Sequence, residues 1–172
     1  MVQDNFSRVI LRFAVRRNCK AATMMDVLKN VHTQYLEPAS IETCRLMTDD
    51  GNENYGAVHD FLQNADKQTI QHIVAQHDVE FSNSMIEAAN KNIKYRFLYH
   101  KHIPDFDALC RYVPLAIEDF NTRLHDVLEG LTSYEVLNGK QADKTFLNIQ
   151  KEAYRIERIK ENKQQRCCQY GF

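Results

Sequence analysis

Ile41-Glu42-Thr43-Cys44-Arg45-Leu46-Met47-Thr48 is a short run ending in apolar and branched residues, and Asp49-Asp50-Gly51-Asn52 follows it with four turn formers. The first eight residues predict a strand, and the next four predict the turn that ends it. Upstream, Met25, Leu28, Val31, Tyr35 and Leu36 recur at helical spacing until Pro38 stops them. Before them, Val9-Ile10-Leu11-Arg12-Phe13-Ala14-Val15 predicts a buried strand starting close to Met1. Downstream, Val58, Phe61 and Leu62 mark a short helix, and Ile70 to Gln76 a third strand. Strands alternating with helices indicate an α/β domain.

From Ser84 onward the pattern is helical, and Ser84 with Glu87 three residues later fits a capping box. Pro104 is expected to break this helix. A second helix opens near Asp105, with Phe106, Leu109, Cys110, Val113, Ile117 and Phe120 on one face. Pro114 lies inside that stripe and should kink it, because it cannot donate to the carbonyl of Cys110. Residues 142–165 repeat helical spacing through Phe146, Ile149, Ala153, Ile156 and Ile159. The chain thus divides into a body over 1–140 and a helical tail over 141–172, which suits the 172-residue length.

Composition excludes some classes. Hydrophobic residues at 44% with 26% charged argue against wholesale disorder. The net charge of −1 hides an asymmetry. Residues 140–172 carry eight Lys or Arg against four acids, a net +4, which leaves −5 for the rest. A basic tail on an acidic body points towards an anionic partner, although a solvated helix face explains the charge equally well. The five cysteines, Cys19, Cys44, Cys110, Cys167 and Cys168, are odd in number and form no C-x-x-C pair. No secretory segment opens the chain and no apolar run approaches the ~20 residues needed to cross a bilayer, so a soluble intracellular protein with reduced thiols is expected. Only five glycines are present and none forms a phosphate loop, which argues against nucleotide hydrolysis. His100 and His102 form an H-x-H pair, but no H-E-x-x-H or cysteine pair completes a zinc site.

Asp49, at a strand end beside a tight turn, is placed to ligate Mg²⁺, a cation that takes hard oxygen ligands. Taken alone, Asp49-Asp50-Gly51-Asn52 is more simply turn chemistry. Glu87 lies in the first turn of its helix, with 37 residues between it and Asp49, and alone is more simply a cap. Lys91 and Lys94 follow at i+4 and i+7, on the face of Glu87. Two lysines beside a metal-binding acid suit a DNA phosphate, and an ordinary Glu–Lys helix pair is the competing reading.

Taken together, Thr48-Asp49-Asp50-Gly51 and Ser82-Asn83-Ser84-Met85-Ile86-Glu87-Ala88 resemble the second and third acids of retroviral-integrase-like DDE transposases. Asp4-Asn5-Phe6-Ser7-Arg8 resembles the turn before that family's third strand. Phe120-Asn121-Thr122-Arg123-Leu124-His125 and Leu128-Glu129-Gly130-Leu131-Thr132-Ser133-Tyr134-Glu135-Val136-Leu137 resemble its C-terminal signature. The likeness covers residues 3–140 in order, and is nearest to bacterial insertion-sequence transposases. It implies a ribonuclease H-like integrase core with a basic C-terminal helical extension. It also implies DNA cleavage and strand transfer through Mg²⁺ (or Mn²⁺) ions held by three carboxylates. By this resemblance Asp49 and Glu87 are two of the three catalytic, metal-binding acids, and Lys91 and Lys94 contact transposon-end DNA. The implied partners are transposon-end and target DNA, with a second copy or a full-length transposase, in a bacterial cytoplasm.

The family's first acid belongs on a strand upstream of the Asp4–Arg8 turn, where this sequence has only Met1-Val2-Gln3. The core is therefore expected to lack its first strand and most of its second. Losing central strands unpairs backbone groups on both neighbours and removes apolar contacts worth ~1.5–3 kcal/mol per side chain. Poor stability and no catalysis are expected of the chain alone, and a non-catalytic DNA- or transposase-binding fragment is the alternative. Two signature positions also differ: Arg123-Leu124-His125 stands for arginine-proline-histidine, and Thr132-Ser133 for Thr-Pro.

Overall fold

The structure, a computed structural model, describes residues 1–18, 20–49, 51, 58, 61–62, 70–75 and 84–164. The chain opens on a hairpin in which β1 (Val2–Gln3) pairs antiparallel with β2 (Ile10–Arg12). The Asp4–Arg8 segment turns between them. The Asp4 carboxylate accepts hydrogen bonds from the Ser7 amide at 2.8 Å and the Ser7 hydroxyl at 2.5 Å. A short acidic side chain reaches its own backbone in this way and holds the turn shut. The strand expected over Val9–Val15 shrinks to three residues because its partner β1 has only two.

Helix α1 (Ala21–Val31) widens into a π-type turn over His32–Leu36 and ends before Pro38, burying Val27, Leu28, Val31 and Leu36. Strands β3 (Cys44–Thr48) and β4 (Ile70–Val74) then pair in parallel, from Cys44 beside Ile70 to Thr48 beside Val74. Parallel neighbours need a crossover of a dozen or more residues. Within it Val58, Phe61 and Leu62 are helical, as their spacing predicts, and Val58 is fully buried. Gln76, the expected end of the third strand, lies outside the described residues, as do Cys19, Cys167 and Cys168.

Helix α2 (Ser84–Arg96) stops well before Pro104. Phe97 leaves the helical backbone at φ −124° and ψ −62°, and Phe97 and Leu98 turn onto the core ahead of a 3₁₀ turn over Leu98–His100. Core contact, not proline, ends this helix. Helix α3 (Phe106–Thr122) starts where Asp105 accepts from the Ala108 amide at 2.7 Å. It continues through Pro114, which faces solvent and offers the Cys110 carbonyl no donor.

The core joins Ile10 of β2 to Ala89 and Ile93 of α2 and to Ala116, Ile117 and Phe120 of α3. Asn121 is buried among them. Its Oδ1 accepts from the Ile10 amide at 2.9 Å and its Nδ2 donates to the Ile10 carbonyl at 3.1 Å. The carbonyl of the preceding Val9 is already taken by the Asp4 amide on the β1 side. The Asn121 amide therefore stands where a neighbouring strand would pair with the other edge of β2.

Strands β5 (Leu124–His125) and β6 (Leu131–Thr132) form a second hairpin, turned through Glu129 (φ 55°) and Gly130 (φ 83°). Helix α4 (Ser133–Leu137) opens on a reciprocal capping box between Thr132 and Glu135. It closes at Gly139 (φ 86°), where the Lys140 amide bonds back to the Glu135 carbonyl at 2.9 Å. Helix α5 (Lys144–Gln164) is the expected tail, and it exposes Phe146, Ile149, Ile156 and Ile159. The expected mixture of strands and helices is present. Among the described residues the strands form three separate two-stranded sheets and do not join into one.

Candidate nucleic-acid interface

Asp49 follows directly on the last residue of β3 and is exposed. It stands at the carboxyl end of a parallel strand pair, the end where α/β sheets commonly present polar groups to ligands. The backbone leading to it is held on two sides. The buried Thr48 places its Oγ1 2.8 Å from His72 Nε2, and the Thr48 carbonyl accepts from the Ala75 amide at 2.7 Å. Asp50 and Asn52 of the same turn lie outside the described residues.

Helix α2 is anchored by Ala89 and Ile93, so the opposite face looks outward and carries Glu87, Lys91 and Lys94, all exposed. Neither of the two contacts that the simpler readings call for is formed among the described residues. Ser84 is itself the first helical residue, and no hydrogen bond joins its hydroxyl to Glu87. The Glu87–Lys91 pair permitted by the i,i+4 spacing is not formed, and among the described residues none of the three makes an ion pair. One acid and two cations thus present themselves to solvent along one helix face.

Asp49 and Glu87 reach the surface from different elements, and residues 76–83 between β4 and α2 lie outside the described residues. Among the described residues no three His, Cys, Asp or Glu side chains gather closely enough to hold a metal ion. A two-metal phosphoryl-transfer site takes three carboxylates. His100 and His102 are exposed and join no such cluster either.

Just beyond the lysines lies a pair of aromatic rings outside the sequence expectations. Tyr95 and Tyr99 meet edge to face with ring centroids 5.0 Å apart, yet they are 62% and 64% exposed. Beside Tyr99 an open groove of about 410 Å³ is lined by Lys94, Leu98, Tyr99, Lys101, Ile103 and Leu109. The sequence signal was two tyrosines four residues apart, interleaved with Lys91, Lys94, Arg96 and Lys101.

Among the described residues no helix is long and apolar enough to cross a membrane. A comparison with curated proteins finds no match. The family model for transposases of the Mutator family matches residues 5–126, well over half of the chain. That span takes in Asn5–Arg8 of the first turn, Asp49, the whole of α2 and the helix bearing Asn121. The chain belongs to the Mutator family of transposases.

Proposed function

We propose that this chain is the DNA-contacting part of a DDE-type, ribonuclease H-like transposase core. In this reading Asp49 and Glu87 are its second and third acids, and Lys91 and Lys94 grip DNA phosphates. Family membership supports a role in DNA transposition. The observation that carries the finer reading is the outward face of α2, where two lysines follow an acid without pairing to it. Lysines left without a carboxylate partner are available to phosphate. Asp49 at the end of a parallel strand is the second support.

The chain by itself does not cut DNA in this reading. Mg²⁺ or Mn²⁺ enters the proposal only where a third carboxylate joins Asp49 and Glu87. Apolar surface on the strands favours further polypeptide beside them. Met47, Ile73 and Val74 of the parallel pair are exposed, whereas parallel sheets are ordinarily covered on both faces. The same surface, with the exposed apolar stripe of α5, supports a second reading in which this chain is a non-catalytic subunit on DNA or on a full-length transposase.

The test incubates the purified chain with duplex DNA and Mg²⁺ or Mn²⁺, and measures binding over a range of salt. Salt-sensitive binding without cleavage is expected. Metal-dependent cleavage that Glu87→Gln abolishes would overturn the inactivity, and binding without salt dependence would overturn the whole reading.

A further inference from the structure

We infer that the groove beside Tyr99 binds an unpaired nucleotide of DNA, with the base stacked on the Tyr99 ring and the adjoining phosphate held by Lys94 and Lys101. The inference rests on the DNA reading above and adds to it a preference for unpaired strand. Its volume, about 410 Å³, falls within the ~300–1,000 Å³ usual for small-ligand sites and suits one nucleotide. The lining is two lysines, three aliphatic side chains and one aromatic ring, with no acid among them. An anionic ligand therefore meets positive charge at the rim and apolar surface within. Lys101 Nζ already lies 5.2 Å from the Phe97 ring centroid, so its ammonium is held beside the groove by an aromatic face.

Tyr99 is what selects the kind of DNA. Its ring is 64% exposed and meets the Tyr95 ring edge to face. A ring this exposed has surface to offer a planar ligand. Bases within a duplex have both faces covered by their neighbours, so duplex DNA can bring only backbone to this groove. An overhanging or displaced strand brings a free base, and alternating cations with aromatic rings is the composition that binds single strands.

The test uses three labelled DNA probes with the full chain: a blunt duplex, the same duplex with a short 3′ overhang, and the overhang strand alone. Fluorescence anisotropy is expected to show tighter binding to the overhang than to the blunt duplex. Tyr99→Leu is expected to remove that preference by weakening overhang binding on the order of tenfold, with blunt-duplex binding unchanged. Tyr99→Phe, which keeps the stacking face, is expected to retain the preference. Lys101→Gln should make the salt dependence of overhang binding shallower by about 0.7 in log–log slope. Circular dichroism spectra matching the parent confirm that each variant is folded. An overhang preference that survives Tyr99→Leu overturns the groove, and so does equal affinity for blunt and overhanging duplex. In either case the DNA reading stands. Loss of binding to every probe by the parent chain overturns both.

Discussion

Replacing Asn121 by leucine leaves the shape of α3 nearly unchanged and removes both hydrogen bonds to Ile10. The Asn121 side chain is 1% exposed and Ile10 is 3% exposed, so water cannot take over the lost bonds. The Ile10 amide and carbonyl would then sit buried and unpaired, at a cost of ~1–3 kcal/mol each. The added apolar surface of leucine offsets part of that, leaving a net loss of about 2–4 kcal/mol. Against the ~5–15 kcal/mol of a typical domain this is a large fraction. Urea titration followed by far-ultraviolet circular dichroism reads the change. With a slope near ~2 kcal/mol per molar urea, the midpoint should fall by about 1–2 M. Thr122→Ala serves as the neighbouring control, because its hydroxyl bonds only to the Glu118 carbonyl at an exposed position. An Asn121→Leu midpoint within ~0.3 M of the parent would show that the amide does not stand in for a strand.

Tyr134→Phe removes a hydroxyl that accepts from Asn121 Nδ2 at 3.3 Å and donates to Glu118 at 3.1 Å, and should cost about 0.5–1.5 kcal/mol in the same titration. A midpoint equal to that of the parent would mean that this bridge adds nothing. The Glu135 carboxyl is held down to about 2 by hydrogen bonding to Lys140, helped by the Thr132 amide. A depressed carboxylate stabilises the fold above its ordinary value of 4.5, and that contribution is lost as pH falls towards about 2. Lys140→Ala should flatten this part of the stability–pH curve, and an unchanged curve would exclude the pair as its source. Ser133→Pro should raise the urea midpoint by the equivalent of ~0.4–1 kcal/mol. Ser133 is the first residue of α4, Thr132 before it is already extended at ψ 158°, and the buried Ser133 hydroxyl has no partner. A lower midpoint would mean that the ring does not fit there.

Much of the local structure was legible because it is written in side-chain chemistry. Asp4 and Ser7 spell a turn, Asp105 spells a helix start, and Cys44–Thr48 ends where the turn formers begin. Lengths were less legible. A strand runs only as far as its partner, so Val9–Val15 contracted to Ile10–Arg12 beside a two-residue β1. Phe97 and Leu98 continue the apolar pattern of α2, yet they turn onto the core and end the helix ahead of Pro104. Asn121 could have been suspected. It falls four residues after Ile117 and beside Phe120, on a stripe that is otherwise apolar, and a polar residue there must find a buried partner. That the partner is a strand edge 111 residues away is a tertiary fact that no local pattern encodes. Among the site residues, the sequence identified the outward face of Glu87, Lys91 and Lys94 by helical phase alone. The placement of Asp49 relative to that face depends on a connection that no periodicity describes. Tyr95 and Tyr99 are exposed, and helical spacing by itself does not separate an exposed pair of tyrosines from a buried one.

The central claim is that the outward face of α2 holds DNA through Lys91 and Lys94. Its most direct test is the salt dependence of duplex binding by the parent chain and by the Lys91→Ala, Lys94→Ala double variant. Each phosphate contact contributes about 0.9 to the slope of log affinity against log salt. The double variant is predicted to bind more weakly at low salt, with a slope shallower by about 1.8. Equal affinity and an equal slope for the two proteins would take these lysines, and α2 with them, out of the DNA interface.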